Sequence, residues 1–568
     1  MTETIHQQLV ELYGPEEGQS TYEALIQIIE RKRVSIRQGV DPGPLFDEKD
    51  VVLITYGDTL QQPGASPLHI LEKFATEYLH DTLSTIHVLP FYPYSSDDGF
   101  SVIDYFAVNP RLGTWQDIAR LGERFDLMFD AVINHMSAQS EWFRQFLAEE
   151  PGFQDAFIAI DPATDLSSVT RPRTSPLLTP FQRPDDETVY VWTTFSADQV
   201  DLNYKDPATL LRILDVLLFY VEKGARIIRL DAIAYIWKEI GTPSIHQPEA
   251  HLIVQVIRAA LDLVAPYVIL ITETNVPHAE NIAYFGDGEN EAQLVYNFTL
   301  PPLLLHTFLS GDATRLHHWV NTLHTPSAQT TFFNFTASHD GIGVRPVEDI
   351  LTEEELAMMI SQVEAHGGHV SYKTNSDGTQ SPYELNITYI DALCDPQEPQ
   401  NIQVRRFLAS QAIMLALAGM PAIYIHSLLG SRNDFEGVER TGYNRSINRA
   451  KLQSDEVLGQ IAAEDSFRAQ IFQGCLNLVR TRIAHSAFHP NAAQRALSVG
   501  TSSVFALLRQ SETMQVLALH NVSEVEQTIN LGEFCRNECV DLLTSATLPA
   551  RNHTMAPYEV RWLALRQA

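Results

Sequence analysis

The sequence predicts an α/β protein: a (β/α)8 TIM barrel with an inserted loop subdomain after its third strand and a small C-terminal antiparallel β domain. Three observations lead there. Short apolar, β-branched runs alternate with amphipathic helical stretches, the pattern of a parallel sheet covered by helices. Eight such runs begin near residues 51, 85, 127, 226, 268, 292, 331 and 422, the number that closes a barrel of this type. Several runs end in charged residues, and barrels of this class assemble their sites at the C-terminal ends of the strands.

The elements follow in order. Residues from about Thr4 to Arg37 show helical spacing and form an N-terminal helical extension, 1–48. The first part of the barrel, 49–136, holds the runs VVLITYG, TIHVLPFY and DLMFDAVINH, with the polar loop PYSSDDGFSVIDY between the second and third. The stretch 137–207 is proline-rich and breaks the alternation, so it reads as an inserted subdomain; insertions of this size usually carry function. The middle of the barrel, 208–342, resumes with a helix at Leu210–Glu222 and the runs ARIIRLD, VILITET, AQLVYNF and TFFNFTASHDG. A second insertion, 343–395, is expected to be irregular. The last part, 396–495, supplies a helix and AIYIHSLLG, and from 496 to 568 short β-rich runs indicate the C-terminal domain.

Composition narrows the class. The 568 residues are too many for one core, and 45% hydrophobic residues exclude a disordered chain. With 71 acidic against 39 basic residues the formal net charge is −32, which argues against nucleic-acid binding. An anionic ligand therefore requires a local cationic pocket. Of the four cysteines, Cys535 and Cys539 form a C-x-x-x-C without further ligand candidates nearby, so thiols are expected rather than a metal site or disulfides. The N-terminus has neither a basic nor an apolar leader segment, and no window reaches the roughly 18 apolar residues of a membrane span. The expectation is a cytoplasmic protein, monomer or homodimer, with no membrane partner.

The chain is organised around GARIIRLDAIAYIWKE, Gly224–Glu239. A buried strand delivers Arg229 and Asp231 at its C-terminal end. Burying an unpaired carboxylate is costly, and a neighbouring arginine keeps it ionised, as a carboxylate nucleophile requires. Alone, the segment reads first as a structural ion pair. Glu273, His339 and Asp340 at the ends of two further strands reverse that reading. Three carboxylates converging on one barrel mouth suit retaining glycoside chemistry, in which a nucleophile and an acid/base lie roughly 5 Å apart.

The segments DAVINH (Asp130–His135), RLDA (Arg229–Ala232), TET (Thr272–Thr274) and SHDG (Ser338–Gly341) resemble, in order, the conserved segments of the α-amylase superfamily. The resemblance implies Asp231 as nucleophile, Glu273 as general acid/base and Asp340 as the carboxylate that grips sugar hydroxyls. It implies supporting roles for Arg229 and His339 and a sugar contact for His135. A second set is similar to the sucrose-phosphorylase branch: RPRTSPLLTPFQ (Arg171–Gln182), VWTTFSADQVDLN (Val191–Asn203), LDAIAYIWKEIGT (Leu230–Thr242), YELNITYIDAL (Tyr383–Leu393), GSRNDFEG (Gly430–Gly437) and GYNRSINR (Gly442–Arg449). This implies a phosphorylase that releases a glucosyl-enzyme with inorganic phosphate as co-substrate, with no cofactor and no metal, although Asn134 stands where other superfamily members use a calcium ligand. Arg173 then binds phosphate, whose oxygens suit the guanidinium fork. Asp58 and Arg445 hold the glucosyl unit, Phe195 and Tyr235 line the site, and Tyr383 and Glu384 lie on the acceptor loop.

Two positions depart from sucrose phosphorylases: Asp104-Tyr105 stands in place of Asp-His, and Glu384 in place of glutamine. The ensemble most resembles the glucosylglycerate phosphorylases. Sucrose, sucrose 6′-phosphate and glucosylglycerol are the alternative substrates. A plain retaining α-glucosidase or transglucosylase and a non-catalytic amylase-like binding protein are the remaining readings. A glycerate carboxylate would need a cation, for which Arg171, Lys373 and Arg432 are candidates.

Overall fold

The computed structural model describes residues 2–36, 43–374, 379–532, 534 and 538–565. All eight predicted runs form strands: β1 (Val52–Thr55), β2 (Thr85–Val88), β3 (Asp126–Ala131), β4 (Ala225–Leu230), β5 (Ile269–Thr272), β6 (Leu294–Tyr296), β7 (Thr331–Phe335) and β8 (Met420–Tyr424). They pair in parallel and in sequence order, and β8 closes onto β1. Strands covered on both faces read as continuous apolar runs rather than alternating ones. Val52, Leu53, Ile86, Val88, Met128, Phe129, Ile228 and Leu270 are accordingly all sealed from solvent. Each such side chain contributes about 1.5–3 kcal/mol of burial.

Strand register positions the chemistry. Leu230 on β4 lies opposite Ala131 on β3 and Thr272 on β5. The next residues, Asp231 and Glu273, are thus level with each other on adjacent strands. Their backbone N–H groups donate to Ala131 O and Leu230 O at 3.1 Å each, so both side chains are presented by a backbone that is itself tied down.

The N-terminal extension is an integral part of the barrel's outer layer. It comprises two helices, α1 (Thr2–Tyr13) and α2 (Pro15–Arg33), broken at Gly14-Pro15 where Gly14 takes φ 80°. Ile5, Leu9, Leu25 and Ile29 are buried in the common core. Beyond them lie α3 (Pro207–Glu222), started by Asp206 whose side chain accepts from Ala208 N, and α4 (Pro248–Val264). Arg31 pairs with Asp215 at 2.8 Å and Lys32 with Glu222 at 2.9 Å, fixing α2 to α3.

The first insertion is a small β unit. His135–Ser137 pairs with Gln199–Asp201 and Leu178–Gln182 with Thr188–Trp192, around a local core of Val169, Leu177 and Trp192. The second insertion corrects the expectation of irregular structure. It folds as a helix (Glu353–Ala365), a hairpin (His369–Thr374 with Gln380–Asn386) and a short helix (Tyr389–Leu393). Ile342–Gly343, which begins two residues after Asp340, pairs with Leu385 and Glu384 of that hairpin. The C-terminal domain carries a six-stranded antiparallel sheet that begins at Ala493. Cys394 and Cys475 are buried thiols and Cys539 is buried; Cys535 lies outside the described residues. Among the described residues no helix is long and apolar enough to cross a membrane.

Candidate active site

A buried polar ladder runs up the barrel axis to the nucleophile position. His87 on β2 meets Asp130 on β3 at 2.6 Å, Asp130 accepts from Arg229 on β4, and the same Nη1 of Arg229 donates to Asp231 Oδ1 at 2.7 Å. The other end of that guanidinium, Nη2, lies 4.0 Å from Glu273 Oε2. One arginine therefore serves both carboxylates. Immediately after the nucleophile position Ala232 adopts a left-handed conformation, φ 49°, rare for a residue with a Cβ. That turn points its N–H at Glu273 Oε2, 3.0 Å away.

The two carboxyls have different electrostatic surroundings. Burial raises Glu273 to about 7; Arg229 pulls back, while the charges of Asp231 and Asp340 push further up. Burial also raises Asp231, to about 6, against the direct hydrogen bond from Arg229. An ionised Asp231 beside a protonated Glu273 is the arrangement of a nucleophile and a general acid. At Asp340 burial also pushes the carboxyl up, but Arg445, Arg449, Arg229 and Arg173 outweigh it and hold it below the ordinary range.

Asp340 is gripped by Arg445, whose Nη1 lies 2.6 Å from Oδ1. The opposite edge of Arg445 forms a bidentate pair with Glu384, Nε to Oε1 at 3.0 Å and Nη2 to Oε2 at 2.8 Å. Glu384 also accepts from Gly341 N. A Cβ at Gly341 would come within 2.6 Å of Glu384 Cγ and Leu385 O, which explains the glycine of SHDG. Arg449 donates to His339 O and to Asp98 Oδ2, both at 2.8 Å. Asp58 accepts from Lys451 Nζ at 2.5 Å.

His339 stacks on Phe100, with centroids 4.6 Å apart, and burial holds its imidazole well below the ordinary range, so it is neutral. His135 is buried, with Nε2 2.8 Å from Phe100 O. It packs against Phe195, which meets Tyr235 edge-on at 5.5 Å. A cavity of about 670 Å³ opens over this floor, walled among others by Arg173, Phe195, Arg445 and Arg449. Tyr383 feels the charges of both Arg173 and Glu273, so the second insertion reaches the acid/base. The structure thus brings the expected residues together around one barrel mouth.

Two expectations, for Glu384 and Arg432, are corrected in detail, and the Tyr105 departure is placed. Glu384 does not face an acceptor: it is 1% exposed and spent on Arg445 and Gly341. Tyr105 is likewise turned inward, its hydroxyl donating to Val132 O at 2.7 Å. Arg432 is committed to Asp391 at 2.6 Å and stacked on Phe467, within the structural frame of the second insertion. Sequence reasoning also missed participants. Arg449, Lys451, Asp98, His87 and Asp130 complete the ionic frame, and Arg449 and Asp98 stood in segments already singled out, GYNRSINR and PYSSDDGF. Lys238 was missed too: its buried ammonium bridges Asn134 Oδ1 at 2.6 Å and Asp201 Oδ2 at 2.7 Å. The oxygens at the calcium-type position of Asn134 are therefore already held by a protein cation.

The alpha-amylase catalytic domain family matches residues 70–345, from ahead of β2 to just beyond Asp340. A glucosylglycerate phosphorylase from Spirochaeta thermophila is 51% identical over 91% of this chain and 88% of its own length. One from Escherichia coli is 45% identical over 99% of this chain and 100% of its own. The chain belongs to the glucosylglycerate phosphorylase family of the α-amylase superfamily. Among solved structures, sucrose 6F-phosphate phosphorylase from Thermoanaerobacter thermosaccharolyticum superimposes with a TM-score of 0.73 at 26% identity, covering 89% of this chain and 98% of that one. The glucosylglycerate phosphorylase relatives thus share about twice the identity of that structure. The likeness to the Escherichia coli glucosylglycerate phosphorylase also extends over the second insertion, which the 70–345 match stops short of.

Proposed function

We propose that this protein is a retaining α-glucoside phosphorylase. It transfers a glucosyl unit from 2-O-α-glucosylglycerate to inorganic phosphate, giving α-glucose 1-phosphate and glycerate. The carrying observation is the pairing of Asp231 and Glu273 on one arginine, with Arg173, which has no ion pair among the described residues, on the wall of the neighbouring cavity. The identity with glucosylglycerate phosphorylases supports the choice of glycerate.

In the first step Asp231 Oδ attacks the anomeric carbon while Glu273 gives its proton to the glycosidic oxygen, and glycerate leaves. Arg229 holds Asp231 oriented and ionised. Asp340, itself fixed by Arg445, accepts sugar hydroxyls whose hydrogen bonds strengthen as positive charge develops on the ring. In the second step Glu273, now ionised, takes a proton from phosphate; the phosphate oxygen attacks the same carbon and Asp231 leaves with its bonding pair. Two inversions give net retention. Arg173 orients the phosphate through paired, charge-assisted hydrogen bonds. No cofactor or metal enters this reading.

A substrate panel tests it. Glucosylglycerate, sucrose, sucrose 6′-phosphate and glucosylglycerol are each supplied with phosphate, and glucose 1-phosphate is measured. Glucosylglycerate is expected to give the highest kcat/KM. A higher value for sucrose moves the acceptor to fructose and leaves the catalytic trio in place. Free glucose without phosphate consumption makes the protein an α-glucosidase.

A further inference from the structure

A second cavity, about 440 Å³, is lined by Tyr383 and bordered by three cations: Arg171, Arg345 and Lys373. In a chain of net charge −32 such a cluster needs a cause, because like charges brought together repel. Among the described residues the one carboxylate paired with the cluster is Glu348, and at long range. Arg345 has no ion pair among the described residues, and its Nε is buried without a hydrogen-bond partner. The Arg171 guanidinium is held by loop carbonyls, at 2.5 Å to Ser175 O. Among the described residues Lys373 pairs with Glu348 alone, at 3.5 Å. Burial, and after it the charge of Arg345, keeps the Lys373 ammonium below its ordinary range.

The cluster adjoins the reacting centre. Tyr235, beside the nucleophile, feels the charges of Tyr383, Arg345, Glu273 and Arg173 together. Gly343, two residues before Arg345, packs so closely on Asn275 that a Cβ would come within 2.6 Å of its amide, so Arg345 is anchored next to the Glu273 loop. The oxygen that Glu273 protonates is on C2 of glycerate, and the carboxylate is one bond further out. An anionic group so close to the protonated oxygen calls for cations beside the Glu273 loop, where Arg345 stands on the wall of this cavity.

On the proposed glucosylglycerate reading, we infer that Arg345 and Lys373, with Arg171 behind them, hold the acceptor's carboxylate and set specificity for acidic over neutral acceptors. Arg173 borders the other cavity, so on this reading the phosphate and carboxylate holds use different cations. Glu384 does not oppose this hold, because Arg445 neutralises it.

The test is synthesis from α-glucose 1-phosphate with D-glycerate or with glycerol, its analogue lacking the carboxylate, in wild type, Arg345→Gln, Lys373→Met and Arg345→Lys. The D-glycerate-to-glycerol ratio of kcat/KM is expected to fall on the order of tenfold or more in Arg345→Gln and in Lys373→Met, as for a lost charge-assisted contact, and to recover partly in Arg345→Lys. The ratio is internally controlled, since a partly unfolded sample lowers both rates alike. An unchanged ratio in both charge-removing variants overturns the inference. So does a raised phosphate KM with an unchanged D-glycerate KM, which would make the cavity a phosphate site. Wild type that does not prefer D-glycerate to glycerol sinks the parent reading; a preference that survives both substitutions sinks only this inference.

Discussion

The two sides of the barrel mouth treat charge in opposite ways. On the sugar-gripping side every charged group named above has a protein partner: Asp340 and Glu384 with Arg445, Asp58 with Lys451, Asp98 with Arg449, Asp231 and Asp130 with Arg229. On the Tyr383 side Arg173 and Arg345 have no ion pair among the described residues, and Lys373 has a long one. A neutral glucosyl unit is best held by groups already fixed, so that no charge must be neutralised on binding and orientation is set in advance. Anionic partners are best held by cations left uncompensated. On the proposed function, the first side suits the glucosyl unit common to both half-reactions and the second the two anions that arrive in alternate ones.

The contrast can be broken or sharpened experimentally, and the largest effect belongs to the closed side. Asp231→Ala removes the group that forms the glucosyl-enzyme, so phosphorolysis and hydrolysis are both expected to collapse together, to below a thousandth of wild type. Substantial glucose 1-phosphate formation by a folded Asp231→Ala protein would place the nucleophile elsewhere.

Glu273→Gln comes next. Loss of acid assistance is expected to cost on the order of 10²–10⁴ in kcat, with rescue on glucosyl fluoride, whose leaving group needs no proton. Absence of rescue in a folded variant would remove Glu273 from the acid role. The same substitution has a stability signature of known sign. The folded-state pKa of about 7 exceeds the ordinary 4.5, so the stability cost of ionising buried Glu273 is absent below pH 4.5, grows between pH 4.5 and 7, and is complete above pH 7. Glu273→Gln should therefore raise Tm relative to wild type by more at pH 8 than at pH 5, by a few degrees. Equal shifts at both pH values would contradict the raised pKa.

The smallest effect is on the open side. Arg173→Ala is expected to raise the phosphate KM on the order of tenfold and to divert product from glucose 1-phosphate toward glucose, since the glucosyl-enzyme still forms and water remains. An unchanged phosphate dependence would make both sides of the mouth alike and remove Arg173 from the phosphate site.

The barrel and the strand-end positions of the three carboxylates were legible because their signals are local. A β-branched run ending in Asp or Glu states both the strand and the position of the carboxylate, and β4 and β5 needed only register to bring Asp231 and Glu273 level. The second insertion was not legible. Its hairpin carries Pro382 within a strand and a register shift at Ser371/Tyr372, each of which breaks the period-two pattern. The orientations of Glu384 and Tyr105 were also hidden, because they depend on Arg445 and on the Val132 carbonyl, long-range partners that no window of sequence contains. Arg449, Lys451 and Lys238 are paired across 351, 393 and 104 positions respectively, which is why none stood out in its own segment.

The Lys238 ammonium, bridging Asn134 and Asp201, has a consequence for how the protein lives with its surroundings. Asn134 ends the β3 segment, and Asp201 lies at the return of the insertion that carries Arg173 and Phe195. The clasp between barrel and insertion is thus made by a side chain of the protein itself. On the proposed roles, the alignment of the Arg173 loop with Asp231 is inherited at folding, and phosphate and acceptor concentrations are left as the variables that set the direction of the reaction.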